Sequence, residues 1–371
     1  MAMKLRTEIE RIPLSRPIDR GEGIMLLGSC FTDPIGQWLS DAWLPVSCNP
    51  FGVLFNPSSI AQALMRVSGY NGFQGSGFPL HSLSGRYYSF DHHGKWSGND
   101  PEALQAQLQQ LDLDVQAFLA QTKHLIVTFG TSWVYEREGR VVANCHKFPA
   151  SEFTRRRLSV DEIVEQWSQV IEALNAQFQV SRTKSSFKFQ PSDPLKPDPL
   201  TPETLKPETL HPEPLKPEAL NPEALNPETL KLETLPLPPT FTFTVSPIRH
   251  VKDTLHGNQL SKATLLLAID ELQRLYPDRV QYLPVYELLM DDLRDYRFYA
   301  DDLVHPSSMA IEAVRELVMD TAMTPCLRQY MHDAAPIVRA LQHRPSDPDS
   351  PQYKAFLAEA LRKKEQLVKN I

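Results

Sequence analysis

The sequence predicts an α/β fold whose largely parallel sheet carries helices on both faces. Three observations predict it. Short continuous apolar runs stop at small residues as buried parallel strands do, amphipathic helical stretches separate them, and polar exits follow the strands. The first run is Ile24-Met25-Leu26-Leu27-Gly28. Thr32 or Asp33 then caps a helix whose first turn tolerates Pro34, so the chain reads strand, Ser-bearing turn, helix. A second helix is predicted over 57–67. A third covers 101–120, where Leu104, Leu108, Leu111, Val115 and Leu119 recur at helical spacing.

His124-Leu125-Ile126-Val127-Thr128-Phe129 is the next strand and ends at Gly130-Thr131. Alternation over 133–142 around Glu138-Gly139 predicts a hairpin. The helix expected over 161–178 places Ile163, Trp167, Val170, Ile171 and Leu174 on one face. Phe241 to Val245 alternates as a strand and exits at Ser246-Pro247. A helix over 260–275, a strand near 279–283 and a helix launched by Pro306 complete the pattern. Beyond the break from Arg344 to Pro351, a last helix carries Tyr353, Phe356, Leu357, Ala360 and Leu361.

With 42% hydrophobic and 22% charged residues, the 371-residue chain is neither wholly disordered nor fibrous. Residues 191–240 are the exception, holding 14 of the 32 prolines in pentapeptides such as KPETL, HPEPL and NPEAL. Each proline removes a donor and disfavours helix at the residue before it, and one leucine per repeat gives too little to bury. The stretch therefore reads as a disordered or polyproline-like insertion. It interrupts one large domain over 1–326, and a helical extension follows over 327–371. Nine acids against four lysines in the insertion account for most of the net charge of −7. The remainder is near neutral and lacks the clustered basic surplus that nucleic acid would need.

The charged N-terminus and the shortness of the first apolar run predict no signal peptide and no membrane span, hence a cytoplasmic protein. Cys30, Cys48, Cys145 and Cys326 show no CxxC pairing, and no spaced ligand set calls for a metal or other cofactor.

In open parallel sheets ligands sit beyond the carboxyl ends of the strands. Four exits qualify: Gly28-Ser29, Asn49-Pro50-Phe51-Gly52, Gly130-Thr131 and the loop Asp301 to Pro306. A serine hydroxyl needs a base, and a base works better when a carboxylate fixes its tautomer. Ser29 suits the nucleophile, His305 the base and Asp302 the orienter, with Asp301 an alternative to Asp302. Structural roles compete with each of these. Ser29 also reads as a small residue at a strand exit, His305 and Asp302 as a helix approach, Gly52 as a turn and Thr131 as a partner for backbone groups. Cys30 is a rival nucleophile at a turn opening a helix. Adjacent residues of such a turn point in different directions, so one of Ser29 and Cys30 faces the pocket. Asn49, His92, His146, Arg249 and His250 are candidates for the substrate pocket. For His92 and His146 a buried, hydrogen-bonded role is the alternative, and Arg249 with His250 suits a substrate carboxylate or sugar.

Leu27-Gly28-Ser29-Cys30-Phe31-Thr32, with NPFG at 49–52, FGTSWVY at 129–135, NCHKFP at 144–149, SPIRH at 246–250 and DDLVHPS at 301–307, resembles the GSCFA family. That family is similar in arrangement to the SGNH (GDSL-like) hydrolases. The resemblance implies a three-layer, flavodoxin-like α/β/α hydrolase fold and ester hydrolysis or acyl transfer without metal or cofactor. It matches Ser29 to the nucleophile, leaving Cys30 packed, and Asp302 with His305 to the last SGNH block. Gly52 matches the glycine whose N–H joins that of Ser29 in the oxyanion hole. Thr131 stands where most SGNH enzymes have an asparagine donor, Gly28 replaces the aspartate of the GDS signature, and Thr32 replaces the family's final alanine. The expectation is a serine esterase or deacylase acting on a small-molecule or carbohydrate ester. An O-acyltransferase and a non-catalytic binding protein on the same fold are the alternatives.

Overall fold

The computed structural model describes residues 7–69, 79–186 and 238–369. In chain order the elements begin with β1 (Gly23–Gly28), α1 (Thr32–Asp41), β2 (Val46–Cys48), α2 (Pro57–Val67), β3 (Leu80–Leu83), β4 (Arg86–Ser89), β5 (Ser97–Gly98) and α3 (Pro101–Leu119). There follow β6 (Thr122–Phe129), β7 (Trp133–Arg137), β8 (Arg140–Val142), β9 (Thr154–Arg157), α4 (Val160–Ser186), β10 (Thr240–Val245) and α5 (Thr254–Leu275). Then come β11 (Val280–Tyr282), the short turn α6 (Val285–Glu287), α7 (Ser308–Ala322), α8 (Pro325–Gln342) and α9 (Pro351–Lys369).

β1, β6 and β10 are buried along nearly their whole length, so neither face of these strands meets water. They form the middle of a five-stranded sheet in the order β11-β10-β6-β1-β2, with every neighbouring pair parallel. Side chains alternate between two cores. Met25, Leu27, Leu125, Val127, Phe241 and Phe243 face α2, α3, α4 and α5, whereas Ile24, Leu26 and Ile126 face α1, α7 and α8. The result is three layers, as expected. Trp167 of α4 is fully buried against Phe129 and Phe243, with ring centroids 5.3 and 4.9 Å away. The chain enters the sheet at β1 and winds outward both ways, toward β2 on one side and through β6 to β11 on the other. The exits of β1 and β6 therefore flank the topological switch point, where the crevice of a doubly wound sheet opens.

Two small antiparallel sheets, β3-β4-β5 and β8-β7-β9, decorate this frame. The β7–β8 hairpin turns at Glu138 and Gly139, both with positive φ, as the sequence predicts. Helix α5 starts six residues before the expected 260, and α4 extends past 178. At the C-terminus, α8 is part of the core. Leu327, Tyr330, Met331 and Ala334 are buried, and the Tyr330 hydroxyl donates to the Ala42 carbonyl at 2.8 Å. Residues 1–178 and 237–371 form one compact unit. The second unit spans 179–236, and the proline-rich repeat expected in it lies outside the described residues. Among the described residues no helix is long and apolar enough to cross a membrane.

Candidate active site

Strand β1 ends at a position that only glycine can occupy. Gly28 has φ +148°, and a Cβ there would lie 2.3 Å from the Thr128 carbonyl oxygen of the adjoining strand. Its N–H donates to Asn49 Oδ1 at 2.9 Å, and Asn49 Nδ2 donates to Asp33 Oδ1 at 2.6 Å. Asn49, a pocket candidate by sequence, is thus a buried strut that ties the end of β1 to the start of α1. The turn that follows splits its two side chains. Ser29 is 1% exposed, its hydroxyl finds no hydrogen-bond partner among the described residues, and its Cβ lies 3.3 Å from where a Cβ on Gly130 would stand. Cys30 is only partly buried and points the other way, toward the loop before α7.

That loop is folded around Asp302. Its Oδ1 accepts the backbone N–H groups of Val304 and His305, each at 2.9 Å, while Leu303 takes a positive φ of 57°. The Ala300 N–H donates to the His305 carbonyl at 2.7 Å and closes the base of the loop. His305 Nδ1 donates to Asp302 Oδ2 at 2.6 Å, so the carboxylate fixes both the ring's tautomer and its direction. These hydrogen bonds, the His305 backbone N–H foremost, hold the Asp302 carboxyl down to about 2. The free ring nitrogen, Nε2, then stands 3.7 Å from Cys30 Sγ. The predicted pair Asp302–His305 is therefore assembled, and its open end meets the residue next to Ser29. Burial, and after it the Asp33 charge, pushes the Cys30 thiol up, while the backbone N–H groups of Cys30 and Phe31 act in the opposite sense.

The three donors expected at an oxyanion have partners inside the fold. Gly52 N–H donates to the Asn49 carbonyl at 2.8 Å, in a turn where Gly52 has φ +86° and a Cβ would meet His93 Cβ at 2.2 Å. Ser29 N–H donates to the Thr128 carbonyl at 3.3 Å. Thr131 Oγ1 lies 3.1 Å from Ser261 Oγ and accepts the Trp133 N–H at 3.1 Å.

His92 and His146 serve the scaffold. His92 is fully buried between Arg66 at 3.2 Å and Ser89 Oγ at 2.9 Å, and burial followed by the Arg66 charge pushes it down to about 2. His146 Nε2 donates to the Ser89 carbonyl at 2.7 Å, and its ring lies over Tyr88 at 4.9 Å. Arg249 does border the site. Its backbone N–H reaches the Val304 carbonyl at 3.5 Å, and its guanidinium sits 4.3 Å from the Tyr299 ring centroid and 5.5 Å from that of Tyr296. His250 is held by Asn258, which accepts its N–H at 3.0 Å, and burial followed by the charge of Lys262 pushes it down to about 4.

One residue escaped the sequence reading. Lys262 of α5 is buried and donates from Nζ to the carbonyls of Gly130 at 2.5 Å and Ser246 at 2.7 Å, clasping the exits of β6 and β10. Burial pushes its ammonium down to about 7. The signal was present in the sequence as a lysine on the apolar stripe of α5, in line with Leu265, Ile269 and Leu272.

Among the described residues no three His, Cys, Asp or Glu side chains gather as a metal site. The sequence matches the GSCFA family model over residues 23–183 and 227–317, more than half of the chain, and the model of the GSCFA domain protein C-terminal domain over 334–371. No curated protein and no solved structure matches it.

Proposed function

The chain belongs to the GSCFA family, and from that premise and the site's geometry we propose that it is an acyl-transfer enzyme of SGNH type that hydrolyses an ester. One observation carries the reading: a histidine locked by a carboxylate at 2.6 Å presents its other nitrogen to the turn after the first strand. There His305 acts as general base on a nucleophile of that turn and, as its conjugate acid, returns the proton to the leaving alcohol. Asp302 stabilises the imidazolium in between. It stays ionised throughout, since its neighbours hold it down to about 2. Backbone N–H groups at the opening of α1 supply positive potential where the carbonyl oxygen gains charge.

Carbohydrate esters are the first substrates to test, because Arg249, Tyr296 and Tyr299 form a cationic and aromatic rim beside the His305 loop. Transfer to an acceptor alcohol shares the first half-reaction, so product analysis with added sugar separates transfer from hydrolysis. The test is hydrolysis of p-nitrophenyl acetate and acetylated sugars by wild type and His305→Ala. The variant loses about 10²–10⁴-fold in kcat/KM while its melting temperature holds. Equal turnover by the two proteins would overturn the proposal.

A further inference from the structure

We propose that Cys30, rather than Ser29, is the nucleophile, and that the reaction passes through a thioester on Cys30; this deepens the acyl-transfer reading above and rests on it. Three observations point the same way. The first is direction. With Nδ1–H committed to Asp302, Nε2 is the acceptor nitrogen of His305, and the group in front of it at 3.7 Å is the Cys30 thiol, within reach of a sulfur hydrogen bond. The second is access. Cys30 is partly open to solvent, whereas Ser29 is 1% exposed and packs toward Gly130 with its hydroxyl unpartnered among the described residues. The third is the backbone around the sulfur. At the start of α1 the N–H groups of Cys30 and Phe31 favour the anion that forms during attack, against the larger opposing effects of burial and the Asp33 charge on the resting thiol.

The other cysteines of the core have no such setting. Cys48 lies against the Thr32 carbonyl and the Asp33 carboxylate, and burial followed by the Asp33 charge pushes its thiol up to about 12. Cys145 is pushed up by burial. Cys30 is also raised by burial and by Asp33, which fixes how it works. It rests as a thiol, and His305 removes its proton during attack instead of holding a standing thiolate–imidazolium pair.

The chemistry then closes. Cys30 Sγ bonds to the acyl carbon as its proton passes to His305 Nε2, the ester C–O bond breaks, and the alkoxide leaves with that proton. Water then attacks the thioester and gives a proton to Nε2. The C–S bond breaks, the sulfur recovers that proton, and the carboxylic acid departs. One ester and one water yield one acid and one alcohol, with no change of oxidation state.

The test uses the full chain with p-nitrophenyl acetate, acid-quenched during turnover, followed by peptide mass mapping. One acetyl group is expected on the peptide carrying residues 29 and 30, and neutral hydroxylamine releases it as it does a thioester. Cys30→Ala loses the adduct and about 10³-fold or more in turnover, whereas Ser29→Ala stays within about threefold of wild type. Cys30→Ser keeps the fold and converts the adduct to a hydroxylamine-resistant oxygen ester. Inactivation by iodoacetamide, with the label on Cys30 and protection by substrate, gives a readout independent of turnover. An adduct that resists neutral hydroxylamine, survives Cys30→Ala and vanishes in Ser29→Ala overturns the assignment. If turnover still depends on His305 in that case, the acyl-transfer reading stands alone. Absence of both the adduct and any His305-dependent turnover overturns both.

Discussion

Histidine is used in two opposite ways in this molecule. His305, 49% exposed on a loop at the carboxyl edge of the sheet, has a carboxylate on one nitrogen and a thiol before the other. His92, on the β4–β5 loop, and His146, on the β8–β9 loop, are buried and have scaffold partners: Arg66 and Ser89 for one, the Ser89 carbonyl and the Tyr88 ring for the other. The contrast teaches that partners decide what a histidine does. A ring held by a carboxylate at one nitrogen can take a proton at the other, because the imidazolium is stabilised as it forms. A ring pressed into the core beside a guanidinium cannot, since burial and like charge both oppose its protonation.

The sharpest way to break the comparison is at the carboxylate. Asp302→Asn keeps the shape of the loop but donates where an acceptor is needed, turning the His305 tautomer the wrong way. Ester turnover should fall by about 10³–10⁴-fold with little change in melting temperature. A steady-state assay beside a thermal melt reads both quantities. Unchanged turnover would mean that the 2.6 Å contact only shapes the loop.

The buried histidine should show the mirror image. His92→Ala leaves a cavity and strips Arg66 and Ser89 of a partner, at a cost of about 2–4 kcal/mol in urea unfolding, while kcat per folded molecule holds. Its pH dependence follows from the sign of the shift. In the fold His92 ionises only near about 2, against roughly 6.5 in the unfolded chain. Between those values the unfolded chain binds the extra proton, so stability falls as pH drops below roughly 6.5, by up to about 1.4 kcal/mol per pH unit. His92→Gln, which cannot titrate, should remove that slope. A wild-type and a variant profile that run parallel from pH 7 to 5 would show that His92 carries its proton in the fold.

These two regions were unequally legible in the sequence. Apolar runs stopping at Gly28 and Gly130 gave β1 and β6, because strands buried on both faces leave a nearly continuous signature, and the alternation of Thr and Phe over 241–245 gave β10. Asp302 and His305 were readable as a pair because three residues on one turn cannot stray far apart. Which of Ser29 and Cys30 faces the base was not readable from local pattern. That choice is made by the φ of +148° at Gly28 and by the pressure of Thr128 and Gly130 on the turn, all long-range packing. The same holds for Gly52, whose sequence marks a turn but not that the turn consumes its N–H. β3-β4-β5 and β9 escaped because their residues are polar and half exposed, so alternation is weak. Lys262 escaped because a lysine on a helix ordinarily reads as surface.

The smallest expected effect separates burial from charge as the source of rigidity around His92. Arg140 donates from Nη2 to both carboxylate oxygens of neighbouring Asp91, each at 2.7 Å, with its own side chain 55% exposed. Water and salt screen such a pair, so Arg140→Ala should cost at most about 1 kcal/mol, and less still in 1 M salt. Urea unfolding at low and high ionic strength measures this. A loss matching that of His92→Ala, and vanishing in salt, would locate the strength of the region in its surface charges. A small loss leaves it with the buried ring, whose desolvation is offset by its contacts with Arg66 and Ser89.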